Sequence, residues 1–136
     1  MELAEIESFI MGLEDVQRVE SFGYVFFFVG DDHRLPFVTI AGSDNEYDKV
    51  SNLNREGVFR LNIGVSRQTF QRLAAGVAEN GIDYTELNRF LPHPEYARQF
   101  FICILNPAGE NAEITKQLIL EAHGIAKGRL RGRGDA

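Results

Sequence analysis

A single cysteine, Cys103, stands in 136 residues, so no internal disulfide can close and a reducing compartment, the cytoplasm, is the expected location. No stretch approaches 18 uninterrupted apolar residues, which leaves no membrane-spanning helix to expect. The first residues carry Glu2, Glu5 and Glu7 where a signal peptide needs a basic head and an apolar run, so export is not expected either. Neither GxGxxG after a strand nor GxxxxGK followed by Ser or Thr occurs, which removes the common nucleotide cradles; no cofactor is expected. His33, His93 and His123 share no ligand spacing, and no metal is expected.

What is present is apolar content and acid. With 44% hydrophobic residues the chain is large enough to bury a core without disulfides or metals, and residues 1–127 read as one domain. Positions 1–126 hold ten basic against nineteen acidic residues, whereas Lys127, Arg129, Arg131 and Arg133 face only Asp135 in the last ten. An acidic body repels phosphate backbones, so nucleic acid is a poor partner for it. The glycine- and arginine-rich residues 128–136 read as a basic, disordered tail, dispensable for folding, through which nucleic acid remains an alternative partner.

Hydrophobic spacing orders the chain. Leu3, Ile6, Phe9, Ile10 and Leu13 recur at helical intervals, which predicts a helix over 2–12. Short strands follow at Val16–Ser21, Tyr24–Val29 and Phe37–Ala41, the first two joined tightly at Phe22 and Gly23. Residues 42–56 read as a polar loop and Val58–Ile63 as a strand. Ser66 is placed to cap a helix over 66–78 with the stripe Phe70, Leu73, Ala74 and Val77, ended by Asn80 and Gly81. Asp83 is expected to cap a helical turn through Leu87 and Phe90; a final strand, Phe100–Leu105, precedes a helix over 111–127. Consecutive short strands with later helices predict an α+β, two-layer sandwich: a mostly antiparallel sheet with helices packed on one face. Tyr24–Val29 is apolar on both faces, so a homodimer or a protein partner is expected on the open face.

The runs Phe59-Arg60-Leu61-Asn62-Ile63-Gly64, Leu91-Pro92-His93-Pro94-Glu95-Tyr96-Ala97 and Cys103-Ile104-Leu105-Asn106-Pro107 resemble an uncharacterised bacterial domain-of-unknown-function family. The layout from Tyr24 to Lys127 is similar to MmcQ/YjbR-like proteins, grouped with the frataxin-like (CyaY) fold. The resemblance implies a fold and brings no catalytic motif to transfer. Frataxin-like proteins bind iron through acids near their first helix; here Glu2, Glu5, Glu7, Glu14 and Asp15 read instead as the wet face of a helix.

Asp44, Glu46 and Asp48 have the outline of a calcium loop, but Lys49 and Arg55 stand where glycine and a bidentate glutamate are needed, so they read as a solvated loop. Cys103, inside an apolar strand, reads as a small buried hydrophobe with a raised pKa, and no catalytic residue is assigned. The candidate ligand-binding residues are Arg60, Asn62 and His93. Arg60 and Asn62 share one strand face, and His93 sits on backbone stiffened by Pro92 and Pro94. Together they are suited to grip a carboxylate or phosphate, in a small binding domain for an anionic ligand or a protein partner; an enzyme acting on a small anionic substrate is the further alternative. The structural alternative pairs Arg60 with an acid such as Asp83, makes Asn62 a loop cap, and has His93 accept a backbone hydrogen bond.

Overall fold

A computed structural model describes residues 1–74, Val77 and 81–134. The elements in chain order are α1 (Leu3–Met11), β1 (Val16–Ser21), β2 (Tyr24–Val29), β3 (Val38–Ala41), β4 (Arg60–Gly64), α2 (Arg67–Ala74), β5 (Leu91–Pro92), β6 (Phe101–Leu105) and α3 (Glu110–Gly134). The strands form a six-stranded sheet in the order β1-β2-β3-β4-β6-β5, and every neighbouring pair is antiparallel. This is the α+β layout that the strand and helix spacing predicts.

The β1–β2 connection is two residues long, and both Phe22 (φ 52°) and Gly23 (φ 83°) are left-handed, the turn that matches the twist of a tight hairpin. Gly23 is required there twice over: a Cβ would lie 2.5 Å from the Ser43 hydroxyl, on a backbone that L residues avoid.

Period-two alternation then sorts the strands into two faces. Phe27, Val29, Val38, Ile40, Leu61, Ile63, Ile102 and Ile104 are buried on one, beneath Ile6 and Ile10 of α1 and Leu118, Ile119 and Ala122 of α3. Phe70 and Leu73 of α2 pack on the same core. The opposite face carries Tyr24, Phe26, Thr39, Arg60, Asn62, Phe101 and Cys103. It is not covered by the α-helices but overlaid by parts of three connections, residues 34–36, 47–48 and 93–99, the last including a short 3-10 turn at Ala97–Gln99, which leave a chamber between themselves and the sheet.

Two expectations need correction. The stretch after Asp83 forms turns rather than a helical turn: Asp83 accepts from the Thr85 amide (3.0 Å) and hydroxyl (2.5 Å), an Asx-type turn that competes with helix initiation. The final helix runs past its expected end at Lys127, spanning Glu110–Gly134. Leu130 supplies the reason, since it packs on the core and lies so close to Gly30 that a Cβ there would meet it at 2.8 Å. The expected end of the α2 helix near Asn80 falls outside the described residues. Ser66 does cap α2, accepting from the Thr69 amide at 3.1 Å. Among the described residues no helix is long and apolar enough to cross a membrane.

Candidate functional site

Arg60 opens β4, the strand between β3 and β6, so its side chain leaves the sheet at the middle of the loop-covered face and is 1% exposed. A guanidinium taken out of water needs a counter-charge and partners for its donors. Asp48, from the loop over the sheet, provides both: Nη1 and Nη2 of Arg60 donate to its two oxygens at 3.1 and 2.5 Å. Nη1 also donates to the Ser51 hydroxyl at 3.1 Å, and Nε to Oδ1 of Asn62 at 3.0 Å. The Tyr24 hydroxyl donates a third bond to Asp48, at 2.8 Å. Burial alone would raise the Asp48 carboxyl, but the bonds from Arg60 and Tyr24 outweigh it and hold the pKa below its ordinary value. Arg60 is correspondingly raised against its own desolvation by Asp48. The floor of the chamber is therefore a closed, charge-neutral pair.

Asn62, two residues on and on the same face, is oriented by its neighbours: Oδ1 accepts from Arg60, so the amide nitrogen donates to the Thr39 hydroxyl at 2.9 Å. It does not cap a loop. His93 follows the short strand β5, and its amide extends the ladder by donating to the Phe101 carbonyl at 2.9 Å. Pro94 then turns the chain back, bringing the amides of Glu95 and Tyr96 each to 3.0 Å from His93 Nδ1. A nitrogen that accepts two N–H groups carries no proton, so the neutral ring holds its hydrogen on Nε2. Burial, and then the Arg60 charge, push the imidazole pKa down to about 4, against an opposing pull from Asp48.

Arg60, Asn62 and His93 line one cavity of about 390 Å³. Its walls are aromatic: Tyr24, Phe26, Tyr47, Tyr96 and Phe101, with Leu35 and Pro36 contributed by the β2–β3 connection. Phe101 can lie across the neighbouring strand because Gly64 faces it; a Cβ at Gly64 would meet the ring at 2.9 Å. Arg34 and Glu95 add one charge of each sign, so the lining is balanced. A wider hollow of about 830 Å³ at Asp15, Asp31, Arg34 and Leu130 is an open surface depression with no buried polar floor.

One family model matches residues 1–135, nearly the whole chain. The chain belongs to DUF6194, a family of unknown function. No curated protein and no solved structure is found to match it.

In this DUF6194 chain Asp83 is not the partner of Arg60; Asp48 is, a residue that reads as part of a solvated loop. His93 does accept backbone hydrogen bonds while also lining the cavity. The wall aromatics and Asp48 were missed at the sequence level. The available signal was the arginine itself: a charged side chain in a central strand must recruit an acid, and the longest polar loop is the nearest supply. The remaining candidates go elsewhere. Cys103 is buried, its thiol pushed up to about 12 by desolvation. His33 stacks on Phe28 at 4.4 Å, and His123 bonds the Glu14 carbonyl at 2.7 Å. Three of the five acids near α1 pair individually: Glu7 with Arg18 (3.0 Å), Glu5 with Lys116 (3.8 Å) and Glu14 with Lys127 (2.8 Å).

Proposed function

We propose that the chain is a small-molecule-binding protein and that the cavity over Arg60 takes an uncharged ligand carrying an aromatic ring. The observation that carries this reading is the bidentate Arg60–Asp48 pair beneath aromatic walls. Arg60 is suited to grip an anion when its fork is free; here Asp48 holds both Nη atoms, so a carboxylate or phosphate would have to displace it. A volume of about 390 Å³ suits a small organic molecule, and aromatic walls supply apolar area and stacking.

The same groups favour binding over catalysis. The free nitrogen of His93 already bears its proton and cannot act as a general base, and the Cys103 thiol is too weakly acidic to supply a thiolate. A single buried cysteine fits the cytoplasm as the working compartment.

The chain has no tryptophan, so Tyr47→Trp, at an exposed rim position, installs a single reporter. Titration with benzamide, ethylbenzene and benzoate is expected to show saturable changes for the uncharged probes, and at least tenfold weaker binding of benzoate. Preferential, salt-sensitive binding of benzoate would restore the anionic reading, and no response to any probe would remove the site.

A further inference from the structure

Resting on the reading of this cavity as a small-molecule site, we infer that His93 is its specificity-determining residue, and that the ligand class is planar aromatic compounds bearing a carbonyl-type acceptor, such as aryl amides and lactams. The basis is an imbalance between donors and acceptors around the chamber floor. His93 Nδ1 is occupied by the amides of Glu95 and Tyr96, so the ring offers the cavity only Nε2–H, which bonds to nothing among the described residues. Asn62 has its carbonyl oxygen taken by Arg60 and one amide hydrogen by Thr39, which leaves it one further hydrogen to donate. The Thr39 hydroxyl, accepting from Asn62, keeps its own hydrogen to donate. The acceptors at the floor are engaged, both Asp48 oxygens by Arg60 and one also by Tyr24, while Glu95 and Gln99 of the lining are exposed. A ligand that desolvates this floor without an acceptor leaves polar hydrogens unpaired, whereas a carbonyl oxygen satisfies them.

His93 is also held rigidly. Pro92 and Pro94 restrict its backbone, and its ring lies against Tyr96 at 5.0 Å and edge-on to Phe101 at 6.4 Å. The donor is therefore preorganised, and rotation of the imidazole would forfeit two backbone hydrogen bonds. Tyr96 and Phe101, which fix the ring, are themselves cavity walls, so a flat ligand stacked on them is brought to the Nε2–H edge.

His93→Asn separates the structural role from the donor role. An asparagine oxygen near the Nδ1 position still accepts the turn amides, while its NH2 group ends where Cδ2 stood and falls short of the place of Nε2–H. With the Tyr47→Trp reporter, the His93 protein is expected to prefer benzamide to ethylbenzene at least tenfold. His93→Asn should lower benzamide affinity at least tenfold more than it lowers ethylbenzene affinity. The second readout needs no substitution at His93: in histidine-¹⁵N-labelled wild type, the shifts should report the Nε2–H tautomer, and benzamide but not ethylbenzene should move the Nε2 proton. An Nδ1-protonated tautomer, or unchanged benzamide preference in His93→Asn, overturns the inference while leaving the cavity as a binding site. Failure of both probes to bind wild type would instead overturn the site itself.

Discussion

The Arg60–Asp48 pair has an asymmetric energetics. Arg60 is 1% exposed and Asp48 13% by side chain, so either charge without the other is stranded in a poorly solvated place. Breaking such a pair from one side costs about 3–5 kcal/mol, whereas replacing both members by apolar groups is often neutral. Arg60→Ala is thus expected to destabilise strongly in urea unfolding, and Arg60→Met combined with Asp48→Leu to recover most of the loss. Recovery of nothing would mean that the pair acts through Ser51, Tyr24 and Asn62 rather than through its charges. Thr115 presents the opposite case: its hydroxyl is buried in α3 without a hydrogen-bond partner among the described residues. Thr115→Val keeps the shape and removes the unpaired group, so it should stabilise by about 1 kcal/mol, seen as a higher urea midpoint at unchanged slope. At this scale the sequence was half legible. Arg60, Asn62 and His93 stand out as polar residues among strand formers, but choosing Asp48 from a loop that also holds Asp44 and Glu46 requires the path of that loop over the sheet.

Elements with a strong period were readable, and those set by tertiary contact were not. The spacing of Ile6 and Ile10, the aromatic run of β2 and the apolar run of β6 each define an element from local sequence. The continuation of α3 through Gly128 and Gly132 contradicts local propensity, because glycine weakens a helix by about 1 kcal/mol relative to alanine. What offsets it is Leu130 against Gly30 and the ion pair of Lys127 with Glu14, contacts made across a hundred residues of sequence or more. Deleting residues 131–136 should therefore leave the melting temperature within about 1 °C, whereas deletion from 128, or Leu130→Ala, should lower it by about 5 °C, as expected for roughly 1 kcal/mol lost from a chain of this size. Equal melting temperatures for the two truncations would return the segment to a dispensable tail. The N-terminus of α2 is likewise held from afar: Glu121 of α3 accepts from the Ser66 amide at 3.1 Å and the Thr69 hydroxyl at 2.8 Å. Sequence shows the Ser66 cap; it does not show this second acceptor, 55 residues away.

At the scale of the whole molecule, the two faces of the sheet have different covers and respond differently to pH. The helix-covered face is apolar and, among the described residues, contains no titrating pair at its centre, whereas the loop-covered face encloses His93, Asp48 and Arg60. The apolar character of both sides of β2 reads from sequence as a face awaiting a partner; the three segments overlying it could not be foreseen, since loops carry no periodicity. Acid should consequently loosen the loop face first. His93 has a folded pKa of about 4 against an ordinary 6.5, so between these values the unfolded chain binds a proton that the native state refuses. Stability is then complete above about pH 6.5 and falls toward pH 4, with a limiting slope of about 1.4 kcal/mol per pH unit. Asp48 acts in the same sense: its carboxyl is held below the ordinary 3.8, so its contribution is lost in the more acid range as pH falls through the lowered value. Protonation of His93 at Nδ1 would also abolish the acceptor for Glu95 and Tyr96, releasing the segment that forms one wall. Urea unfolding at pH 7.0 and 5.0 should show wild type losing on the order of 2 kcal/mol and His93→Asn, which cannot titrate, losing much less. An equal loss in both proteins would place the acid sensitivity elsewhere and free His93 from the role of pH-dependent clasp on the cavity wall.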